Sequence, residues 1–134
     1  MNVAKVENFT INDTHQLDTD IGVKVVYNKK EGFVPLIERN AFWWQPQKTK
    51  NFIVNESTET PIYIDLYKRD ANYNEVYLDK LVIEGLPPRP PGTTKLSLAL
   101  EFPRYDKLNV TVSDVGFGEL FPVADYRKRF VVSV

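Results

Sequence analysis

Leu96-Ser97-Leu98-Ala99-Leu100-Glu101-Phe102 and Leu108-Asn109-Val110-Thr111-Val112-Ser113 decide the fold class. In both runs every second residue is large and apolar, and the residues between are small or polar. A β-strand turns successive side chains to opposite faces, so each run offers one face to a core and one to water. Pro103-Arg104-Tyr105-Asp106 joins them at hairpin distance. The pair reads as an antiparallel hairpin with one buried face.

The same period of two recurs outward from this hairpin. Ile62, Ile64 and Leu66 alternate with Tyr63, Asp65 and Tyr67. Weaker strands read at Ile21 to Tyr27, Phe33 to Glu38, Thr49 to Val54, Tyr77 to Glu84 and Phe130 to Val134. Polar and turn-forming stretches separate them: Asn28-Lys29-Lys30-Glu31-Gly32, Asn55 to Pro61 and Asp70 to Asn74. No segment carries a 3.6-residue period. Strands recurring about every ten residues predict an all-β sandwich or barrel. No internal repeat or second domain is visible; residues 1–13 read as a linker or edge segment and 14–134 as the domain.

Composition narrows the function. The chain has 134 residues, 43% hydrophobic and 26% charged, which suits one globular domain with a real core. A formal charge of −1 gives no basic field for nucleic acid or an anionic membrane. There is no apolar run long enough for a transmembrane helix, and Met1 to Thr14 lacks the apolar stretch of a signal peptide. With no cysteine and one histidine, His15, thiolate chemistry and multi-histidine metal centres are excluded. The absence of cysteine fits a reducing compartment, and a cytoplasmic location is the expectation. A binding module is favoured over an enzyme, with no catalytic residue, metal or cofactor expected in this chain.

Several features invite sharper readings. Gly85-Leu86-Pro87-Pro88-Arg89-Pro90-Pro91-Gly92 is too rich in proline for ladder pairing, so it reads as a stiff crossover that leaves the sheet. A ligand for proline-recognition domains is the competing reading. Trp43 and Trp44 follow Phe42; adjacent strand residues face opposite ways, so one buried anchor and one exposed ring are expected, with partner docking as the functional reading. A sugar platform would need both rings exposed. Arg127-Lys128-Arg129 reads as a solvated edge. Asp13, Asp18 and Asp20 match no calcium-loop spacing, and Asn8, Asn12, Asn55 and Asn109 begin glycosylation acceptor sequences that matter only in a secreted protein.

The proline-rich crossover followed by Leu96 to Phe102 resembles the G-I-P-P-A-P-R-G crossover and next strand of the DnaK-type heat-shock chaperones, in their peptide-binding β-domain. Other pieces line up in the same order. Asp20-Ile21-Gly22-Val23 resembles S-L-G-I, and Leu36-Ile37-Glu38-Arg39-Asn40 resembles L-I-x-[KR]-N. Pro46-Gln47-Lys48 falls on P-T-K, and Phe52 falls on the family's loop-opening Phe. Ile62-Tyr63-Ile64 falls on V-x-I, and Leu108 to Asp114 resembles L-x-V-S-A-x-D. The matches run from about Asp13 to Val134.

The resemblance implies an antiparallel β-sandwich of two four-stranded sheets that binds extended apolar peptide or unfolded polypeptide in a channel at one end. Carried over by position, Val23, Phe52, Ile62 and Ile64 line the channel, Val25 and Val26 lead into the arch above it, and Asn55 stands where the family completes that arch with a small apolar residue. ATP belongs to an upstream ATPase domain that this sequence does not contain, and that domain is the other expected partner. Met1 to Val134 reads as an excised domain or a member without a lid. Departures mark a divergent member. Tyr27 to Gly32 reads as longer and more charged than the family's Gly-Gly turn, Pro91 replaces an Arg, and Pro103 to Lys107 replaces an acidic turn. The alternative is a docking module that contacts its own ATPase domain or a fixed partner without general peptide binding.

Overall fold

The computed structural model describes residues 16–27, 29–47 and 49–134, without the side chains of Val26 and Tyr27. The expected segment at 1–13, His15, and the acceptor sequences at Asn8 and Asn12 lie outside the described residues. Eight strands follow in order: β1 (Asp20–Tyr27), β2 (Lys30–Ile37), β3 (Lys50–Val54), β4 (Ile62–Arg69), β5 (Glu75–Ile83), β6 (Thr94–Arg104), β7 (Lys107–Asp114) and β8 (Arg127–Ser133). They form two antiparallel four-stranded sheets, ordered β2-β1-β4-β5 and β3-β6-β7-β8. The protein is an all-β sandwich, as the strand count and the alternation require.

Alternation does what the sequence predicts. In β6, Leu96, Leu98, Leu100 and Phe102 are buried, and in β7 so are Leu108, Val110 and Val112. Ile21, Val23, Leu36, Ile37, Ile62, Leu66, Leu81 and Ile83 come down from the other sheet to the same cluster. Each such side chain contributes about 1.5–3 kcal/mol when fully buried. Pro103 sits inside β6, where the register with β7 shifts between Glu101 and Arg104. A residue without an N–H is tolerated where the ladder is already interrupted.

The largest differences from the apolar pattern are at β2 and β8, whose paired stretches begin well before their apolar residues. Tyr27 pairs with Lys30, and Lys29 takes φ 64°, so the stretch expected to be a long charged loop is a tight hairpin with Lys30 and Glu31 inside β2. β8 likewise begins at Arg127 rather than Phe130. Both are edge strands, where exposed charge is compatible with pairing on one side and discourages pairing on the other. The proline-rich stretch leaves the first sheet after Ile83 and enters the second at Thr94, the crossover its composition demands.

Antiparallel order gathers four connections at one end of the sandwich: the β1–β2 turn, the β3–β4 connection, the crossover and the β7–β8 connection. The β2–β3 connection, with both tryptophans, lies at the other end.

Candidate functional site

One ladder in the first sheet stops early. β1 pairs with β2 from Ile21↔Ile37 to Tyr27↔Lys30, but with β4 only from Asp20↔Arg69 to Val23↔Leu66. Beyond that point Ile62 to Asp65 keep their pairing with β5, and Lys24 to Tyr27 keep theirs with β2. The two inner edges part, and their backbone groups have no ladder partner. Buried amides and carbonyls are almost always paired, so an open pair of edges beside a core is a place for another backbone.

A cleft of about 470 Å³ lies at this split. Its apolar floor is Leu96 and Leu98 of β6, with Val54 of β3. Val23 and Ile62 belong to the floor too, at only 3% and 5% exposed. Val25, Phe52 and Ile64 are half-buried walls, each packed on one side against the core. Asn55 and Glu56 stand exposed at the rim. The volume is within the usual range for a ligand site, and the lining is mostly apolar with a few polar groups at the edge.

The structure therefore brings together Val23, Val25, Phe52, Asn55, Ile62 and Ile64. Val26 continues β1, and its side chain is outside the described set. Trp43 and Trp44 are elsewhere. Trp43 packs against the core, and Trp44 is half exposed with its ring stacked on Phe42 at 5.2 Å. Both tryptophans lie in a turn of the β2–β3 connection and not in a strand, so the alternation argument does not apply to them; Trp43 is a partly buried anchor and Trp44 an outer ring, which does not give a pair of exposed platforms for a sugar.

Two charged groups frame the cleft. On the outer face of the first sheet, Lys24 follows the last β1–β4 pair and reaches Glu75 at 2.6 Å and Glu31 at 3.6 Å, above the ring of Tyr67. Its hydrogen bond to Glu75 raises the ammonium above its ordinary pKa. The second group is Arg89, buried in the crossover and missed by pattern reading. Its guanidinium makes two 2.8 Å bonds to the carboxylate of Asp114, at the end of β7, and a third at 3.1 Å to the carbonyl of Pro122.

The backbone of Arg89 is held as firmly. Its N–H donates to Thr58 Oγ1 at 2.7 Å, and its carbonyl accepts the Thr58 N–H at 3.2 Å. The Thr58 hydroxyl donates in turn to the carbonyl of Pro87 at 2.5 Å, and the N–H of Gly92 to that of Val54 at 2.9 Å. Burial pushes the Asp114 carboxyl up; Arg89 and the N–H groups of Ala124 and Gly116 outweigh that and hold it below its ordinary value. Thr58 follows Asn55 and Glu56 in the β3–β4 connection, so Arg89 fixes the connection that forms one rim of the cleft.

Among the described residues no group of three or more His, Asp or Glu is placed to hold a metal ion, and no helix is long and apolar enough to cross a membrane. The fold and the site define a two-sheet antiparallel sandwich domain with an apolar end cleft beside a parted ladder. A family model described as a domain of unknown function (DUF8552) matches residues 16–134, and the chain belongs to that family. No curated protein matches the chain.

Proposed function

We propose that this domain binds short extended apolar peptide segments in the end cleft, in the manner of the peptide-binding β-domain that its sequence resembles in DnaK-type chaperones. The observation that carries the reading is a convergence. Six residues picked by resemblance, scattered over three strands and one connection, lie around one apolar cleft where β1 and β4 part. The open edges supply main-chain hydrogen bonds to an extended peptide, and Val25, Phe52 and Ile64 supply a pocket for one of its side chains. Binding of this kind is non-enzymatic and needs no group that the chain lacks.

Titration of the isotope-labelled domain with a Leu-centred heptapeptide tests it. Amide shifts are expected at Val25, Phe52 and Ile64, with an affinity on the order of micromolar or weaker, as is usual for so small an interface. Absence of shifts at these residues near millimolar peptide overturns the reading.

The docking module is a second proposal, favoured by the half-exposed Trp44 at the opposite end of the sandwich. It predicts that an ATPase domain or fixed partner protects Trp44 from fluorescence quenching while apolar peptides leave the cleft amides unmoved.

A further inference from the structure

The β7–β8 connection, residues 115–126, is apolar, exposed and tightly held at once. Leu120 is 86% exposed and Val123 66%. Yet the Phe117 N–H donates to the carbonyl of Phe121 at 2.6 Å, and Gly116 and Gly118 take φ of 76° and 69° to make the turn. The Val115 N–H donates to Lys95, Arg89 reaches Pro122, and Asp114 accepts the N–H groups of Gly116 and Ala124. A flexible loop with these side chains would need no explanation. A rigid one has already lost the ordering entropy that binding costs, which is the property of a preformed contact.

The loop lies at the same end of the sandwich as the cleft, tied to it through Arg89 and Thr58. Leu120 is not among the residues lining its own chain's cleft. Its charge complements one side of the cleft. Glu119 and Asp125 flank the apolar tip, and Lys29 and Lys30 are exposed at the tip of the β1–β2 hairpin whose β1 side lines the cleft, while Glu56 on the β3–β4 rim favours the orientation that turns Glu119 toward the hairpin. Neither lysine has an ion-pair partner among the described residues.

We propose that the cleft accepts the β7–β8 loop of a second copy of this chain, with Leu120 as the inserted apolar side chain and Glu119 toward Lys29 and Lys30. This rests on the peptide-binding reading of the cleft and names one of its ligands. Because loop and cleft share one end, two chains facing end to end exchange loops reciprocally, and the contact closes at a dimer. Peptide and second copy then compete, and the domain shields its own cleft when peptide is scarce and the chain concentrated.

Sedimentation of the full chain from about 10 µM to about 1 mM, the range of weak association, tests this. The mass is expected to rise toward two chains, Leu120→Asp to weaken pairing at least tenfold, and excess Leu-centred heptapeptide to disperse the pairs. Leu120→Asp should still bind heptapeptide with the wild-type shifts at Phe52 and Ile64. A wild-type chain that stays single at the highest concentration, while heptapeptide still shifts those residues, overturns the exchange and leaves the cleft reading standing. Pairing unchanged by Leu120→Asp overturns it as well. Pairing that needs Leu120 but is indifferent to heptapeptide, with no peptide shifts at Phe52 or Ile64, overturns the cleft as the loop's acceptor together with the peptide reading.

Discussion

Two sides of the same end of the sandwich are built on opposite principles. Around Arg89 a charged group is buried, and two carboxylate oxygens, a hydroxyl and several carbonyls are arranged to satisfy it and the backbone beside it. A few residues away, β1 and β4 part after Val23↔Leu66, and two strand edges are left with no ladder partner. A fold that meets so many polar demands on one side is not short of means to close the other. The difference teaches where to look for function: the satisfied side holds the rim in place, and the unsatisfied side is the one to which we assign the proposed peptide.

The largest expected effect comes from breaking the satisfied side. Arg89→Met leaves the Asp114 carboxylate buried without its cation, and such truncations cost about 3–5 kcal/mol. Urea unfolding of the variant should show a loss of that size, and peptide affinity should fall too because Thr58 loses the ordered backbone it is bonded to. The double variant Arg89→Met with Asp114→Leu should regain part of the loss, since buried ion pairs replaced by apolar groups are often near neutral. Recovery stays incomplete because the N–H groups of Gly116 and Ala124 lose their acceptor. A single variant costing under about 1 kcal/mol, the scale of an exposed pair, would mean the pair is in effect solvated.

Acid attacks the same pair. The folded-state pKa of Asp114 lies below its ordinary value, so its stabilisation is present above the ordinary carboxylate range and is lost as pH falls through the depressed value. Asp70 acts in the same sense, its carboxylate accepting N–H groups of Asn74 and Asn72. Denaturant midpoints followed from neutral pH to about pH 2 should drop steeply only below the carboxylate range, and the drop should be shallower in Asp114→Asn. A midpoint that falls instead between pH 7 and 5, as for a buried neutral histidine, would place the acid sensitivity elsewhere.

Ile64 and Leu66 of β4 compare the open wall with the core directly. Leu66 is fully buried, and Ile64 is a half-buried cleft wall. Leu66→Phe should cost about 1–3 kcal/mol of stability through overpacking. Ile64→Phe should leave stability nearly unchanged and weaken aliphatic peptides by about 1–3 kcal/mol, the scale of one pocket contact. Ile62 is a poorer probe than Ile64, because at 5% exposure it serves core and cleft together. Equal stability losses at the two positions would show that the wall is core after all.

Strand identity was legible because alternation is a consequence of the pleat: each run of the type Leu108-Val110-Val112 corresponds to one strand. The hairpin at Lys29 was not, because its sequence is that of a loop and only pairing across β1 and β2 makes it a tight turn. Arg89 was not legible for the opposite reason. Nothing among its neighbouring prolines marks it as buried, and its burial depends on Asp114, which lies 25 residues away. The signal was present in Asp114 itself. It stands in phase with Leu108, Val110 and Val112, so the period places a carboxylate inward, and an inward carboxylate requires a cation. The candidate cleft residues came from resemblance; composition alone did not separate wall from floor, since Val23 and Val25 are the same residue type on one strand face and differ only in distance from the point where the ladder ends.

The smallest effect concerns the rim. Asn55 is exposed, makes no side-chain hydrogen bond among the described residues, and borders the cleft beside Glu56. Asn55→Ala removes a polar group that a bound aliphatic peptide would have to desolvate, and it breaks no contact of the fold. Stability should stay within about 0.5 kcal/mol, as for surface changes away from special features. Affinity for a Leu-centred peptide should rise by less than about 1 kcal/mol, roughly the value of one buried methylene, or up to about fivefold. A peptide with a hydrogen-bonding side chain at the centre should gain nothing or lose slightly, because Asn55 then has a partner to forfeit. The ratio of the two affinities, measured by the same titration on wild type and variant, is the sharper quantity, since any general loosening of the β3–β4 connection cancels in it. A ratio unchanged by the substitution would place the bound side chain deeper, against Phe52 and Ile64, and away from the rim.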